Sequence, residues 1–522
     1  MKGTSRKRRT GPDSPAAESA APPPPAAEAE PPHAGVPGDP DHGLQPAASS
    51  ARGADRPPSD SSAAREGAVD SRLSTVDLRP AVPCAPSPAP PPAPLLPALR
   101  PEVHLLTFGC RAQQADEEAL RAALVARGLT VLEGKKAEGA GIAVVHGCVV
   151  TARAERDARK AIRRLRRDHP DLRIVVSGCH ARLTGEAASR ELGADLALPD
   201  AGPEALATAI RERLVPAGLL PSCAPSAEGG RRRVALRIQD GCDNSCAYCI
   251  VPAVRGKPRS VQATTVLEEI QSLAERGAPE VVLSGIQTGA WGRDLDPPSS
   301  LTDLLEKILA LPRKPRIRIS SVEPQYLTPR LIELAASERG ICPHLHVPLQ
   351  SASPRLLAAM GRADVSPTIE LLEKAWARHG DLAVGFDVIA GLPTETEPEH
   401  LLTVELVERL PLAYLHVFTF SARPGTRAAS MLPSVPERFA VLRTRALLRS
   451  DERLRAAYRA KILARGRAEV AVEHMGEDGF GRGTTERFLP ATVISHAVKP
   501  GALVRGNTDG IGADGALRVV PD

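Results

Sequence analysis

Cys242, Cys246 and Cys249 lie in the run RIQDGCDNSCAYCIVPAVRG with C-x3-C-x2-C spacing. Three thiols so close in sequence meet at one point when the chain between them forms a tight loop. Three thiolates can hold three irons of a cubic 4Fe-4S cluster, which needs a ligand for each iron. The fourth iron is then open to a small chelating molecule, whereas four cysteines would close the cluster for electron transfer alone. The other reading is a zinc site, but structural zinc prefers four protein ligands in paired C-x2-C units.

A second set of three cysteines is written in the strand pattern. Val103–Phe108, Ile142–His146 and Ile174–Ser177 read as buried strands, and they end in Gly109-Cys110, Gly147-Cys148 and Gly178-Cys179. Between them lie amphipathic helical patterns, one with Leu120, Leu124 and Val125 on a face and one from about Ala154 to Asp168. Alternating strands and helices imply a parallel sheet with right-handed crossovers. Strands of such a sheet end at one edge, so the three cysteines meet in space although far apart in sequence. A glycine before each lets backbone approach a cluster closely. The alternative is three buried cysteines that happen to follow strands.

The 522 residues are enough for about three domains. Many of the 51 prolines crowd into residues 1–100, a segment rich in Ala, Pro, Ser and Gly that reads as disordered. Its basic opening, Lys2–Arg9, precedes no apolar stretch of a secretory signal and is a solubilising tail or an electrostatic lure for RNA. No run of eighteen apolar residues spans a membrane. Nine cysteines, six in two triplets, argue for metal binding in a reducing compartment over a disulfide framework. Cys84, Cys223 and Cys342 are left over, the last as a small buried residue. A net charge of +5 suits a polyanionic partner.

Pro216–Gly230 reads as a linker. Beyond it Val234–Ile238, Glu280–Ser284, Arg316–Ser321, His344–Pro348, Ala383–Ala390 and Tyr414–Thr419 are strands separated by helical patterns. Six such units suggest a partial (β/α)6 barrel with its site at the carboxyl-terminal mouth, where the Cys242 loop leaves the first strand. An Arg-rich helix, about Pro436 to Arg465, precedes short strands between glycines at Ala468–Glu473, Gly481–Thr485, Ala491–Ile494 and Ala502–Asn507. That texture predicts a small antiparallel barrel. Phe480 and Phe488 are candidates to stack bases, with Arg482 and Arg487 on phosphate; Phe488 serves equally as core.

The C-x3-C-x2-C loop resembles that of the radical S-adenosylmethionine (SAM) superfamily. With the three Gly-Cys pairs, residues 102–522 resemble its methylthiotransferase family. The resemblance implies an α/β fold: a parallel-sheet amino-terminal domain (101–216), a TIM-like radical SAM barrel (231–463) and a TRAM-type RNA-binding barrel (464–522). It implies two 4Fe-4S clusters, on Cys110, Cys148 and Cys179 and on Cys242, Cys246 and Cys249, each with one open iron. Ser284 and Gly285 in VVLSGIQTG, Glu323 in SSVEP, Gln350 in PLQS and Asp387 in GFDVIAGLPTET are then SAM-binding positions, and Arg255 approaches the methionine carboxylate. The sequence departs from the family pattern at Gln113 and at His146-Gly147, so hydrogen bonding around the first cluster differs.

The activity so implied replaces an unreactive C–H bond by C–S–CH3, using two SAM molecules. QDGCDNSCAYCIVP, SSVEP and LHVFTFSARPGT resemble the branch that acts on C2 of N6-threonylcarbamoyladenosine at position 37 of tRNA. The alternatives within the family are N6-isopentenyladenosine and a ribosomal-protein aspartate; the alternative outside it is an RNA-binding protein with structural zinc. Implied partners are tRNA, an electron donor such as flavodoxin or ferredoxin, and a sulfur source, in the cytoplasm and without a membrane.

Overall fold

The computed structural model describes residues 102–132, 139–215 and 232–522. Expectations for the Pro-rich segment at 1–100 and for the linker at 216–230 lie outside the described residues. The first sheet holds β1 (Glu102–Thr107), β2 (Thr130–Leu132), β3 (Ile142–His146), β4 (Arg173–Ser177) and β5 (Leu196–Ala197) in the order β2-β1-β3-β4-β5. All pairings are parallel. β3 is buried along its whole length, as expected of a central strand covered on both faces. Helices Arg111–Ala126 and Pro203–Leu214 bury Leu120, Leu124, Leu206 and Ile210 on one face. Helices Ala152–Asp168 and Gly178–Glu191 bury Ala158, Ile162, Leu165 and Ala181 on the other. Thr151 caps the first of these by accepting from the Ala154 N–H at 3.2 Å, and the helix stops before Pro170.

The central barrel contains β6 (Arg233–Arg237), the short antiparallel pair β7 (Gln239–Asp240) and β8 (Arg259–Ser260), β9 (Glu280–Ser284), β10 (Arg316–Ile319), β11 (His344–Gln350), β12 (Ala383–Ala390) and β13 (Tyr414–Thr419). β6, β9 and β10 are parallel neighbours, as are β11, β12 and β13. The parallel bridges Ile317–Ile341 and Ser321–His346 join the two halves. Alternation sets the faces. Leu345, Val347, Val384, Phe386, Val388 and Leu415 pack outward into one core with helix residues such as Val266, Ile270 and Leu304. Glu280, Arg316, Arg318, His344, His346, Asp387, Tyr414 and His416 therefore point inward.

A helix at Glu437–Arg465 leads to the closed barrel of β14 (Arg467–Met475), β15 (Gly481–Thr485), β16 (Pro490–Val493), β17 (Leu503–Ile511) and β18 (Leu517–Pro521). The expectation of a wholly antiparallel barrel needs one correction. β16 and β18 pair in parallel, because the last strand closes the ring between β16 and β17. This small barrel sits beneath the floor of the large one. Glu280, fully buried, accepts hydrogen bonds from Arg233 (2.8 Å), Arg316 (2.6 Å) and Arg318 (2.7 Å). The same arginines reach Thr484 Oγ1 (2.9 Å), the Glu469 carbonyl (2.8 Å) and the Thr485 carbonyl (2.8 Å) of the small barrel.

Candidate active site

The three Gly-Cys pairs meet at the carboxyl edge of the first sheet. Cys110 lies exposed at the start of its helix, while Cys148 and Cys179 are buried. The thiols of Cys110 and Cys148 share a hydrogen bond, and Cys179 lies within electrostatic reach of Cys110. The close approach needs glycine. A Cβ on Gly109 would lie 2.3 Å from Cys148 Cβ and 2.9 Å from its Sγ, and a Cβ on Gly147 would lie 2.6 Å from His180 Cβ. Gly109 and Gly178 also take φ of +129° and +76°. The bond from Cys148 pushes the Cys110 thiol down, with Arg255 adding to the effect. The same bond and burial push Cys148 up, and burial raises Cys179 against the pull of Arg255.

Gln113 and His146, where the sequence departs from the family pattern, both make polar contacts beside this group. Gln113 Nε2 donates to the Gly147 carbonyl at 3.1 Å. His146 Nδ1 lies 2.9 Å from Ser177 Oγ and its Nε2 is 3.6 Å from Asp116.

Arg255 is the main surprise. It was expected beside the methionine carboxylate at the loop cysteines, but its buried guanidinium faces the first cysteine group. Nε donates to Cys179 Sγ at 3.2 Å, Nη2 pairs with Asp116 at 2.9 Å and Nη1 with Asp240 at 3.1 Å. The short helix Val251–Arg255 after Cys249 carries it across the domain junction. Burial would raise the Asp116 carboxyl, yet His146, Arg255 and Arg237 hold it well below its usual range.

Cys242, Cys246 and Cys249 are half-buried in the loop after β7, each within electrostatic reach of the others. The loop is pinned by the Cys242 N–H to the Gly256 carbonyl (3.0 Å) and by the Ala247 N–H to the Met360 carbonyl (2.8 Å). The Asn244 N–H donates to Cys242 Sγ at 3.4 Å and Arg362 Nη1 to Cys246 Sγ at 3.6 Å. Burial pushes the Cys242 thiol up to about 12 and that of Cys249 up to about 11. Apolar burial disfavours a free thiolate, so these sulfurs gain most from a cation that replaces their protons.

Beside the loop, the strand ends present buried oxygens that no described residue satisfies: Ser284 Oγ, Gln287 Oε1, Glu323 Oε2 and Gln350 Oε1. Such orphans are costly unless a ligand completes them. Burial pushes the Glu323 carboxyl up to about 7. Gln350 adopts φ +75° at a register shift in β11, a backbone state uncommon outside glycine. A Cβ on Gly285 would approach Gln239 Oε1 at 3.0 Å, and that same oxygen accepts the Ile286 and Gln287 N–H groups. Three half-buried thiols, unpaired acceptors and a carboxyl raised by burial fit a cluster chelated by a zwitterionic ligand such as SAM. Gln287 and Arg362 escaped the sequence reading because neither stands in a spacing that marks a ligand.

Asp387, proposed from the sequence as a SAM-binding position, is engaged by His346 Nε2 at 2.9 Å and His416 Nδ1 at 3.3 Å. In the small barrel, Arg487 is a correction: buried and paired with Asp381 and Glu486, it is not free for phosphate. Arg482 pairs with Asp478 at 2.7 Å, and the half-buried Phe480 packs on His496 with ring centroids 4.7 Å apart. Phe488 takes φ +63° and packs on His344 and Tyr414 at 4.8 and 5.3 Å, which makes it core.

Among the described residues no helix is long and apolar enough to cross a membrane. Residues 236–407 match the model of the Radical SAM superfamily, and residues 102–198 match that of "Uncharacterized protein family UPF0004". The chain is 33% identical over 359 residues to the threonylcarbamoyladenosine tRNA methylthiotransferase MtaB of Rickettsia prowazekii, covering 67% of this chain and 82% of that one. It is 30% identical over 375 residues to the protein of that name from Aquifex aeolicus, covering 69% and 90%. It is also 30% identical over 423 residues to the tRNA-2-methylthio-N(6)-dimethylallyladenosine synthase of Nitratidesulfovibrio vulgaris, covering 77% and 93%.

Proposed function

The chain belongs to the radical SAM methylthiotransferase family, and from that premise we propose that it methylthiolates C2 of N6-threonylcarbamoyladenosine at position 37 of tRNA. Family membership implies one 4Fe-4S cluster and SAM; the reading adds a second cluster on Cys110, Cys148 and Cys179. The observation that carries it is the pair of three-cysteine groups in one folded unit, tied together through Arg255, Asp116 and Asp240. Two such groups suit a reaction in which a radical source and a sulfur carrier must both reach one carbon. The adenine C2 hydrogen has no useful acidity, so an acid–base route fails there.

Bound at the loop cysteines, a 4Fe-4S cluster and SAM would supply the 5'-deoxyadenosyl radical that removes that hydrogen. The protein's own part is to hold and orient. Cys242, Cys246 and Cys249 are the ligands, and Ser284, Gln287, Glu323 and Gln350 offer the polar atoms for SAM. Arg362 lends positive charge to Cys246. At the other group, Arg255 steadies Cys179 and leaves Cys110, at the exposed side, nearest to incoming sulfur. Ferredoxin or flavodoxin would be the electron donor, and a separate sulfur source would reload the second cluster.

Relatives bearing both the threonylcarbamoyl and the dimethylallyl names match at similar identity, and LHVFTFSARPGT favours the former. Nucleoside mass spectrometry of tRNA from cells with and without the gene tests the reading. Loss of 2-methylthio-N6-threonylcarbamoyladenosine alone is expected. Loss of the isopentenyl nucleoside instead, or unchanged tRNA with an altered ribosomal protein, would overturn it.

A further inference from the structure

The arginines expected to meet phosphate in the small barrel are already engaged, Arg487 with Asp381 and Glu486 and Arg482 with Asp478. A denser set of cations lies on the helix Ala152–Asp168, which follows Cys148. Its 17 residues carry eight cations and three acids, a net of +5, as large as the formal net charge of the whole chain. Ala158, Ile162 and Leu165 bury one side of this helix in the core. Arg153, Arg156, Lys160, Arg163, Arg164 and Arg167 are exposed. At about 3.6 residues per turn these six fall within an arc of about 100°, centred opposite the buried side. The remaining two cations are structural: Arg159 pairs with Glu155, and Arg166 with Asp195.

Arg156, Lys160 and Arg163 have no hydrogen-bond or ion-pair partner among the described residues, and they stand on successive turns. Of the other three, Arg153 lies 3.9 Å from Asp157, while Arg164 and Arg167 share Asp168 at 3.3 and 2.8 Å. Like charges four positions apart oppose the helix, as in Arg156–Lys160, Lys160–Arg164 and Arg163–Arg167. Arg153, in the first turn, also faces the positive end of the helix dipole. A surface built only for solubility mixes the two signs. On the other Arg-rich helix, Glu437–Arg465, Arg443, Arg453, Arg455 and Arg465 each have a carboxylate partner. The face on Ala152–Asp168 instead repels itself, and it gains free energy when a polyanion covers it and sheds condensed counterions.

The helix starts beside the site. Thr151 caps it three residues after Cys148, at the carboxyl edge of the first sheet. On its flank Glu155 accepts from Arg159 and from the buried Arg423, four residues past the end of β13. Its first turns therefore touch the rim of the large barrel, and its length of about 25 Å leads away from the cysteines. We propose that this cationic face is the track for the RNA backbone beside the target nucleotide, with Arg156, Lys160 and Arg163 on phosphates of the anticodon arm. The proposal rests on tRNA as the substrate and names the surface that holds it. Phosphate contacts fix position and register without reading bases, so the face holds the arm while the cysteine groups act on the base. An acidic electron-donor protein is the other anionic partner for such a face. Its carboxylates are scattered, whereas a row of cations on successive turns matches the row of charges along a nucleic-acid strand.

The test measures binding of an anticodon stem-loop carrying threonylcarbamoyladenosine to reconstituted full-length enzyme, by fluorescence anisotropy over a series of salt concentrations. Each phosphate contact contributes roughly 0.7–0.9 to the slope of log K against log salt. The triple variant Arg156→Gln, Lys160→Gln, Arg163→Gln keeps helix propensity. Its slope should be shallower by about 2–3, and near ~0.15 M salt its Kd should be roughly ten- to a hundred-fold higher. Its kcat at saturating RNA, its SAM cleavage without RNA and its Tm should match wild type. A control removes the same charge elsewhere, through Arg276→Gln, Arg330→Gln and Arg378→Gln, each exposed beside a glutamate. That control should keep the wild-type slope. An unchanged slope in the triple variant, or an equal loss in the control, would overturn the proposal. If the slope is unchanged and half-saturation by flavodoxin rises instead, the face belongs to the electron donor and the proposal fails. If wild type neither binds nor methylthiolates any tRNA stem-loop, the functional reading falls and the proposal with it, and this is seen before any variant is compared.

Discussion

Replacing Glu280 by Gln tests whether the two barrels are held together by one buried charge. The carboxylate is fully buried and serves Arg233, Arg316 and Arg318. Gln keeps the shape, removes the charge and turns an NH2 toward donors. Arg233 and Arg316 retain Glu473 (3.1 Å) and Glu469 (3.3 Å), but Arg318 is left with only the Thr485 and Glu486 carbonyls. Breaking a buried ion pair from one side costs about 3–5 kcal/mol. Because two of three arginines keep a partner, the lower end, about 3 kcal/mol, is expected. At roughly 2–4 °C per kcal/mol for a domain of 150–250 residues, that lowers Tm by about 6–12 °C. Burial would raise the Glu280 carboxyl, yet Arg318, Arg316 and Arg233 hold it well below its ordinary value. Its stabilisation is therefore complete above the unfolded-state pKa and is lost only as pH falls through the depressed folded value. The deficit of Glu280→Gln should be full at pH 7 and shrink in acid. Calorimetry from pH 3 to 8, with limited proteolysis across Gly466, reads both. A Tm within about 2 °C of wild type at pH 7, or a deficit that grows in acid, would refute the reasoning.

Cys246→Ala should abolish SAM cleavage measured as 5'-deoxyadenosine, and intact cleavage would remove this residue from the ligand set. Cys148→Ala should keep SAM cleavage but lose methylthiolated product and about half of the iron; unchanged product would exclude it as a ligand. Arg255→Lys, which keeps the charge but cannot reach Cys179, Asp116 and Asp240 together, should shift the electron paramagnetic resonance signal of one cluster only. A spectrum identical to wild type would show that Arg255 tunes neither.

What could be read from the residues was whatever repeats or alternates. The six barrel strands were legible because each carries an apolar face toward the helices, as Val384, Phe386 and Val388 do. The three Gly-Cys pairs were legible because a parallel sheet ends its strands on one edge. β2 and β5 were missed because three and two residues are too short to show a period. The closing β18 was missed for another reason: its partners β16 and β17 are set by ring closure, which no local pattern encodes. Phe480 and Phe488 looked alike in sequence, and only packing against His344 and Tyr414 marks Phe488 as core.

Arg255 shows where local reading misleads most. It lies six residues after Cys249, so proximity along the chain assigned it to the loop cysteines. The intervening Val251–Arg255 helix turns its side chain outward from that loop, and the positive φ of Gly256 (+73°) sends the backbone back to pair with Cys242. A guanidinium with two carboxylates and a sulfur in reach satisfies more of its donors at the junction than at a loop already served by Arg362. Burial is tolerable only where every charge is matched. Asp116 and Asp240, contributed by the amino-terminal helix and by β7, supply that match. The contact that ties the two cysteine groups together is thus decided by charge balance between Asp116 and Arg255, 139 positions apart in the chain. Spacing within a motif carries no information about such a balance, which is why motif reading found both cysteine groups and missed the link between them.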